Sequence, residues 1–167
     1  IAENESRIRS RSMEVSLAQR LNGGLPLTPK LLGYSHDADG KLVINPDEAP
    51  TVKLIFYMYL SGYSSSHIAK TLEALGKRTF LGNSKWTSGT VIQVLRNERH
   101  CGDVLTRKTF TPDVISHKSK KNRGERQQSL YKGEHEAIVS RDDYIAVQHM
   151  INNAKYGGKS ILPELRV

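Results

Sequence analysis

Apolar residues recur at helical spacing in several stretches of the chain, so the pattern alone sketches a mostly helical body. The strongest stripe is Val52, Ile55, Phe56, Tyr59 and Leu60, which predicts a core helix rather than a cofactor-binding face. Pro50 sets its start. A cap at Asn45, with Pro46 at the first helical position and Glu48 closing a capping box, would leave Pro50 one residue past the first turn. A cap at Asp47 puts Pro50 inside that turn, where its missing N–H costs less, and this later start is the expected one.

Two shorter helices follow. The first runs from about Ser64, its N-cap, to Leu75, with Ile68, Leu72 and Leu75 on one face and Gly76 as its left-handed stop. The second opens at Thr87, where Trp86 before the cap and Val91 at the fourth helical position are spaced as a hydrophobic staple. Val91, Val94 and Leu95 turn inward. Gly89, Gln93 and Arg96 then fall at i, i+4 and i+7 on a polar outward face, which suits the DNA major groove. An ordinary surface helix carries the same signature, and periodicity does not separate the two. A last helix is expected after Ser140, with Asp142 and Asp143 in its first turn. Tyr144, Val147, Gln148 and Ile151 share one of its faces, with Ile145 and Met150 beside it.

Between the helices, Leu32–Ile44 predicts a β-hairpin around Asp37-Ala38-Asp39-Gly40, with Gly40 at a left-handed bulge position. Gly102–Arg107 predicts a short strand. Residues 109–131 are polar and basic and read as a long, mobile loop or wing, and Glu134–Val139 returns the chain to the core. At the other end, residues 3–22 are a helix candidate with only a loose apolar face (Ile8, Val15, Leu21), marginal alone. Gly23-Gly24 stops it, and Pro26 and Pro29 make the next stretch an extended connector. The expected class is α+β: a mostly helical domain with a small β-hairpin or sheet, containing a helix-turn-helix-like variant and preceded by a long helix.

Charge changes the picture through its placement. The net +8 is concentrated in residues 77–133, which carry 13 basic against 4 acidic side chains. A polyanion partner is the direct reading, although the run from Lys118 to Arg126 taken alone would also suit a solvated basic loop. At 167 residues and 37% hydrophobic content the chain can bury a core without staples. The single cysteine, Cys101, excludes an internal disulfide and a cysteine-rich zinc site, and is expected to be a small buried hydrophobe. No apolar run approaches membrane-spanning length and no signal peptide is visible. Because the chain opens at Ile1 inside a polar helical pattern, a fragment of a longer protein is expected.

Other chemistry is thin. Ser6, Ser10, Ser12 and Ser16 lie on a polar helix without a neighbouring general base, so no catalytic residues are expected. The six histidines show no ligand spacing, with His135 expected on core backbone and His67 on a helix surface. Asp37 and Asp39 suit a turn better than half a calcium loop, and Asp142/Asp143 suit a helix N-terminus better than a metal.

The ordered combination resembles the recombinase domain of the large serine recombinases, the phage integrases and mobile-element transposases. It comprises a Ser/Arg-rich helix into Gly23-Gly24, a proline-containing connector to Gly33-Tyr34, and DADGKLVIN leading to DEAPTVKLIFYMYLSGYS. Then come Ile68-Ala69 and Leu72 before Gly76, Trp86-Thr87 before Thr90-Val91, LRN, Gly102, and HEAIVS before the closing helix. The resemblance covers roughly residues 5–152. It implies that residues 1–23 end a long helix leaving a separate serine catalytic domain, that 24–33 form a connector, and that 34–153 form the DNA-binding domain. Residues 154–167 would lead to a further zinc-binding domain. No cofactor is implied within this segment itself.

On this resemblance the connector crosses or enters the minor groove with Lys30 on phosphate, and the two short helices dock in the major groove. Their connection, Lys77 to Lys85, is far longer than a helix-turn-helix turn, hence a variant of that motif. The expected base contacts are Ser88, Gly89, Thr90, Gln93 and Arg96. The expected phosphate contacts are Lys30, Lys77, Arg78, Lys85, Arg99, Arg107 and Lys108. The implied function is binding of double-stranded DNA at an attachment half-site during strand exchange. The full-length protein would be a dimer or tetramer in the bacterial cytoplasm, on the nucleoid. Two other classes stay open: a helix-turn-helix-type transcriptional regulator, and a basic RNA-binding domain, which the lack of clustered exposed aromatics disfavours.

Overall fold

The computed structural model describes residues 4, 5, 7, 8, 11, 29–105, 109, 110, 119–123 and 130–154. Four helices are bounded within them: α1 (Ala49–Leu60), α2 (Ser65–Ala74), α3 (Ser88–Arg96) and α4 (Arg141–Ala154). The apolar stripe makes α1 the central element, packed against each of the other three. Its Val52 and Ile55 share one core with Ile68 and Leu72 of α2, Val91 and Leu95 of α3, and Val147 of α4, all fully buried. The described residues therefore form an α+β fold in which a helical core carries short antiparallel pairings.

Local chemistry fixes most helix boundaries. Ser64 accepts from His67 N at 3.2 Å, Thr87 from Thr90 N at 3.1 Å and Ser140 from Asp143 N at 3.1 Å, so all three expected caps form. Trp86 and Val91 are both buried in the core, as a staple requires. The end of α2 is a Schellman motif, with Lys77 N on Leu72 O (2.9 Å) and Gly76 N on Glu73 O (3.0 Å).

Two expectations fail at helix ends. Leu75 does not join Ile68 and Leu72; it is the residue flanking the helix end and is 56% exposed. No side chain caps α1. The residue before it is Glu48, one past the expected Asp47, and Asn45 Oδ1 instead holds Asp47 N in a preceding turn (3.0 Å). Glu48 uses its carboxylate elsewhere, accepting from Gly33 N at 3.0 Å. Gly33 is bound to this place: φ is +87°, and a Cβ would lie 2.6 Å from Ile138 Cδ1 and 2.9 Å from Val52 Cγ2.

The hairpin forms as expected, with β1 (Tyr34–His36) antiparallel to β2 (Leu42–Ile44) and Gly40 left-handed. Asp37 organises its turn by accepting from Asp39 N and Lys41 N at 3.0 and 2.8 Å. Beyond α3, a 3₁₀ turn (Glu98–Cys101) leads to β3 (Asp103–Leu105), which starts one residue later than expected, and residues 106–107 of the expected strand lie outside the described residues.

Where the sequence reads residues 109–131 as a loop or wing, the structure contains short paired strands within the described part of that stretch. β4 (Thr109–Phe110) is antiparallel to β5 (Lys120–Lys121), nested inside the pairing of β3 with β6 (Leu130–Lys132), as along one ribbon. Its base is tied down. The Arg141 guanidinium donates to the buried carboxylate of Asp103, Leu105 N donates to Glu98 Oε1 at 3.1 Å, and Gly133 N to Gly102 O at 2.7 Å. The Gly23-Gly24 stop, the connector up to residue 28 and the segment 155–167 lie outside the described residues.

Candidate functional site

The outward face of α3 is held at both ends by side chains. At its start, Thr87 Oγ1 lies 2.9 Å from Thr90 Oγ1, and Ser88 Oγ lies 2.6 Å from Ser65 Oγ. The serine pair pins the N-termini of α2 and α3 together. At its end, three successive carbonyls are each met by a side chain from outside the helix, Val94 O accepting from Asn97 N as well at 3.2 Å. Val94 O faces His100 Nδ1 at 3.0 Å, Leu95 O accepts from Gln148 Nε2 at 2.7 Å, and Arg96 O accepts from the Tyr144 hydroxyl at 2.9 Å.

His100 also reaches away from α3. It is fully buried, and its Nε2 lies 3.0 Å from Leu32 O, so one imidazole joins the connector to the end of α3. Burial pushes this ring below the ordinary imidazole range, against the smaller opposite pull of the two carbonyls. Around it, Tyr34 stacks on the ring. Its hydroxyl lies 2.7 Å from Glu136 O and 3.1 Å from Arg99 O, and burial pushes the phenol up. His135 Nε2 meets Arg99 O at 2.7 Å, on backbone as expected, and His67 is exposed on α2.

Beside the face of α3 lies a cleft of about 400 Å³. Lys30, Thr90, Gln93, Arg96, Asn97 and Lys121 line it, over apolar walls of Leu31, Leu32, Phe80, Ile92 and Val94. The fold thus brings together four residues singled out from the sequence: Lys30, Thr90, Gln93 and Arg96. Gln93 and Gly89 are exposed, whereas Arg96 is half-buried, with its charge close enough to Tyr59 and Tyr144 to act on both. Ser88, Gly89, Lys77, Arg78, Lys85 and Arg99 do not line the cleft. Arg78 turns back to Gly82 O at 3.0 Å within the α2–α3 connection. Arg107 and Lys108 lie outside the described residues.

Sequence reasoning missed Lys121, Asn97 and Phe80. Lys121 sat inside the basic run without any sign of which way the chain would carry it. Phe80 was a lone apolar residue in a polar connection.

Cys101 is buried, donates to Glu98 O at 3.1 Å, and has its thiol pushed up to about 11, chiefly by burial, so it is no nucleophile. Among the described residues, no group of three or more His, Cys, Asp and Glu is placed to hold a metal ion, and no helix is long and apolar enough to cross a membrane.

A family model described as Recombinase matches residues 46–154. No curated protein matches the chain. Solved structures similar to it in fold include the following two. One, described as "Crystal Structure of a LSR-DNA Complex", is 25% identical with a TM-score of 0.57, over 86% of this chain and 38% of that one. The other, "Sequence Requirements of the Listeria innocua prophage attP site", is 26% identical with a TM-score of 0.54, over 84% and 51%. The chain therefore spans about half or less of the length of either.

Proposed function

The chain belongs to the recombinase family, and from that premise we propose that it is the DNA-binding part of a serine site-specific recombinase. In this reading it binds double-stranded DNA at one half of an attachment site and holds a catalytic domain over the crossover. The observation that carries the reading is the meeting of Gln93 and Arg96 on α3 with Lys30 of the connector around one cleft. A structure similar to this one is of a DNA complex, which supports the same partner. Gln93 and Arg96 reach base edges, as glutamine and arginine do in bidentate pairs, and the exposed Gly89 lets the duplex come close. Ser88 and Thr90 stand at the same end of α3, their hydroxyls already engaged within the protein. Lys30, Lys77, Arg78, Lys85 and Arg99, with Arg107 and Lys108, neutralise phosphates.

The test begins with duplexes selected from a random pool by the wild-type chain. Gln93→Ala and Arg96→Ala should each relax preference at the base pair read, by about 1–3 kcal/mol, while sparing binding to unrelated duplex. Selected sequences that these variants rank as wild type does would overturn the assignment of α3.

Gly89→Ala separates stability from binding. A Cβ at Gly89 meets only Thr87 Oγ1, at 3.7 Å, so the methyl group fits the free protein. Stability should rise by roughly 0.5 kcal/mol from the gain in helix propensity, while affinity for the selected duplex falls. Chemical denaturation and a binding titration on the same preparation read the two signs. Equal affinity in the variant would mean that no duplex approaches α3 closely at Gly89.

A further inference from the structure

We propose that the ribbon is a second DNA-binding arm, in which Lys121 seats a backbone phosphate of the same strand segment whose bases α3 reads. This rests on the reading of α3 above and adds to it a contact from a separate part of the chain. Lys121 lies on β5, far along the sequence from Lys30 and Gln93, yet it lines the same cleft with them. The basic rim therefore comes from three segments: Lys30 from the connector, Arg96 from α3 and Lys121 from the ribbon. None of the described lining residues is acidic. A rim of one sign around a concave surface suits a polyanion strand.

Two further observations favour a fixed arm over a solvated insertion. The β3–β6 base of the ribbon is bound to the body by Asp103 to Arg141, by Leu105 N to Glu98 and by Gly133 N to Gly102. The cleft also has an apolar floor, with Phe80 and Ile92 in it. A deoxyribose or a thymine methyl packs against such a floor while its phosphates lie on the rim, and the reduced water there strengthens each lysine–phosphate pair. The occupant is a strand of duplex DNA.

The test uses the whole chain and duplexes selected by it, titrated between about 50 and 200 mM salt. Lys121→Ala should flatten the log–log salt slope by about one unit, so that affinity falls about 3- to 4-fold less over that range, for every duplex alike. Lys121→Arg should keep the wild-type slope. Because Lys121 is exposed, the thermal midpoint of Lys121→Ala should equal that of wild type. Hydroxyl-radical footprints should lose protection at a sugar beside the base pair whose preference Gln93→Ala relaxes. If Lys121→Ala keeps the wild-type slope while Gln93→Ala still relaxes preference, the arm is overturned and the reading of α3 stands. If the wild-type chain prefers single-stranded RNA to every duplex at equal salt, both are overturned.

Discussion

Trp86→Ala lowers stability by about 3–5 kcal/mol and the thermal midpoint by roughly 10 °C or more. The indole is 4% exposed, sits between α2 and α3 and belongs to the same core as Val91. Its loss leaves a cavity at the joint of the two helices, and the cost has a polar part as well. Nε1 donates to Lys77 O at 2.9 Å, the carbonyl that begins the α2–α3 connection. Removing the donor leaves that half-buried oxygen unmatched. The backbone bond from Trp86 N to Glu73 Oε1, at 2.7 Å, survives the substitution and is not part of the loss. Trp86→Phe keeps most of the volume and should recover more than half of it. Trp86 is the only tryptophan, so far-ultraviolet circular dichroism must follow the unfolding. A midpoint within a few degrees of wild type for Trp86→Ala would mean that the staple adds little to the joint.

The second large effect is on acid stability. His100 is buried with its ring pushed toward the neutral form. The unfolded chain takes up a proton near the ordinary imidazole value of about 6.5, while the folded chain resists it. Stability is therefore fully present above about pH 6.5 and falls as the pH drops below it, until the folded ring itself takes the proton. One such group contributes a slope of up to about 1.4 kcal/mol per pH unit. Urea midpoints at pH 7.5 and 5.0 should differ accordingly, and His100→Gln should reduce the difference. His100→Gln should also lower stability at pH 7.5, because the amide does not fill the place of a fully buried ring packed against Tyr34 and Phe56. Glu98 and His135 act on the same ring with opposite signs, and Tyr34 and Phe56 supply its aromatic surroundings. Equal acid sensitivity in wild type and His100→Gln would place the linkage elsewhere.

What the sequence disclosed was local. Ser64, Thr87 and Ser140 mark helix starts because a short hydroxyl beside a periodic apolar run has one cheap use, and all three are used that way. The face of α3 was legible for the same reason, since Val91, Val94 and Leu95 leave Gln93 nowhere to go but outward. What stayed hidden was decided across distance. Glu48 had no role in the expected start at Asp47, and the fold brings Gly33 N to its carboxylate. His100 was one of six scattered histidines until two segments closed around it. Strands of two or three residues are too short for alternation to mark them, so the ribbon reads as loop. Its base is held by the Asp103–Arg141 pair and the Gly102–Gly133 bond, neither of which has a sequence signature. Lys121 could not be assigned to the cleft without the path of the ribbon.

The three carbonyls closing α3 set an order of events during synthesis. Gln148 and Tyr144 are made about 50 residues after the backbone atoms they hold. Until the ribosome has released α4, α3 lacks two of the three side chains that meet its end. A nascent or prematurely terminated chain that stops within the ribbon therefore carries every proposed base-reading side chain yet presents them on an unfinished helix. Such a product should compete poorly with the complete chain for the same duplex.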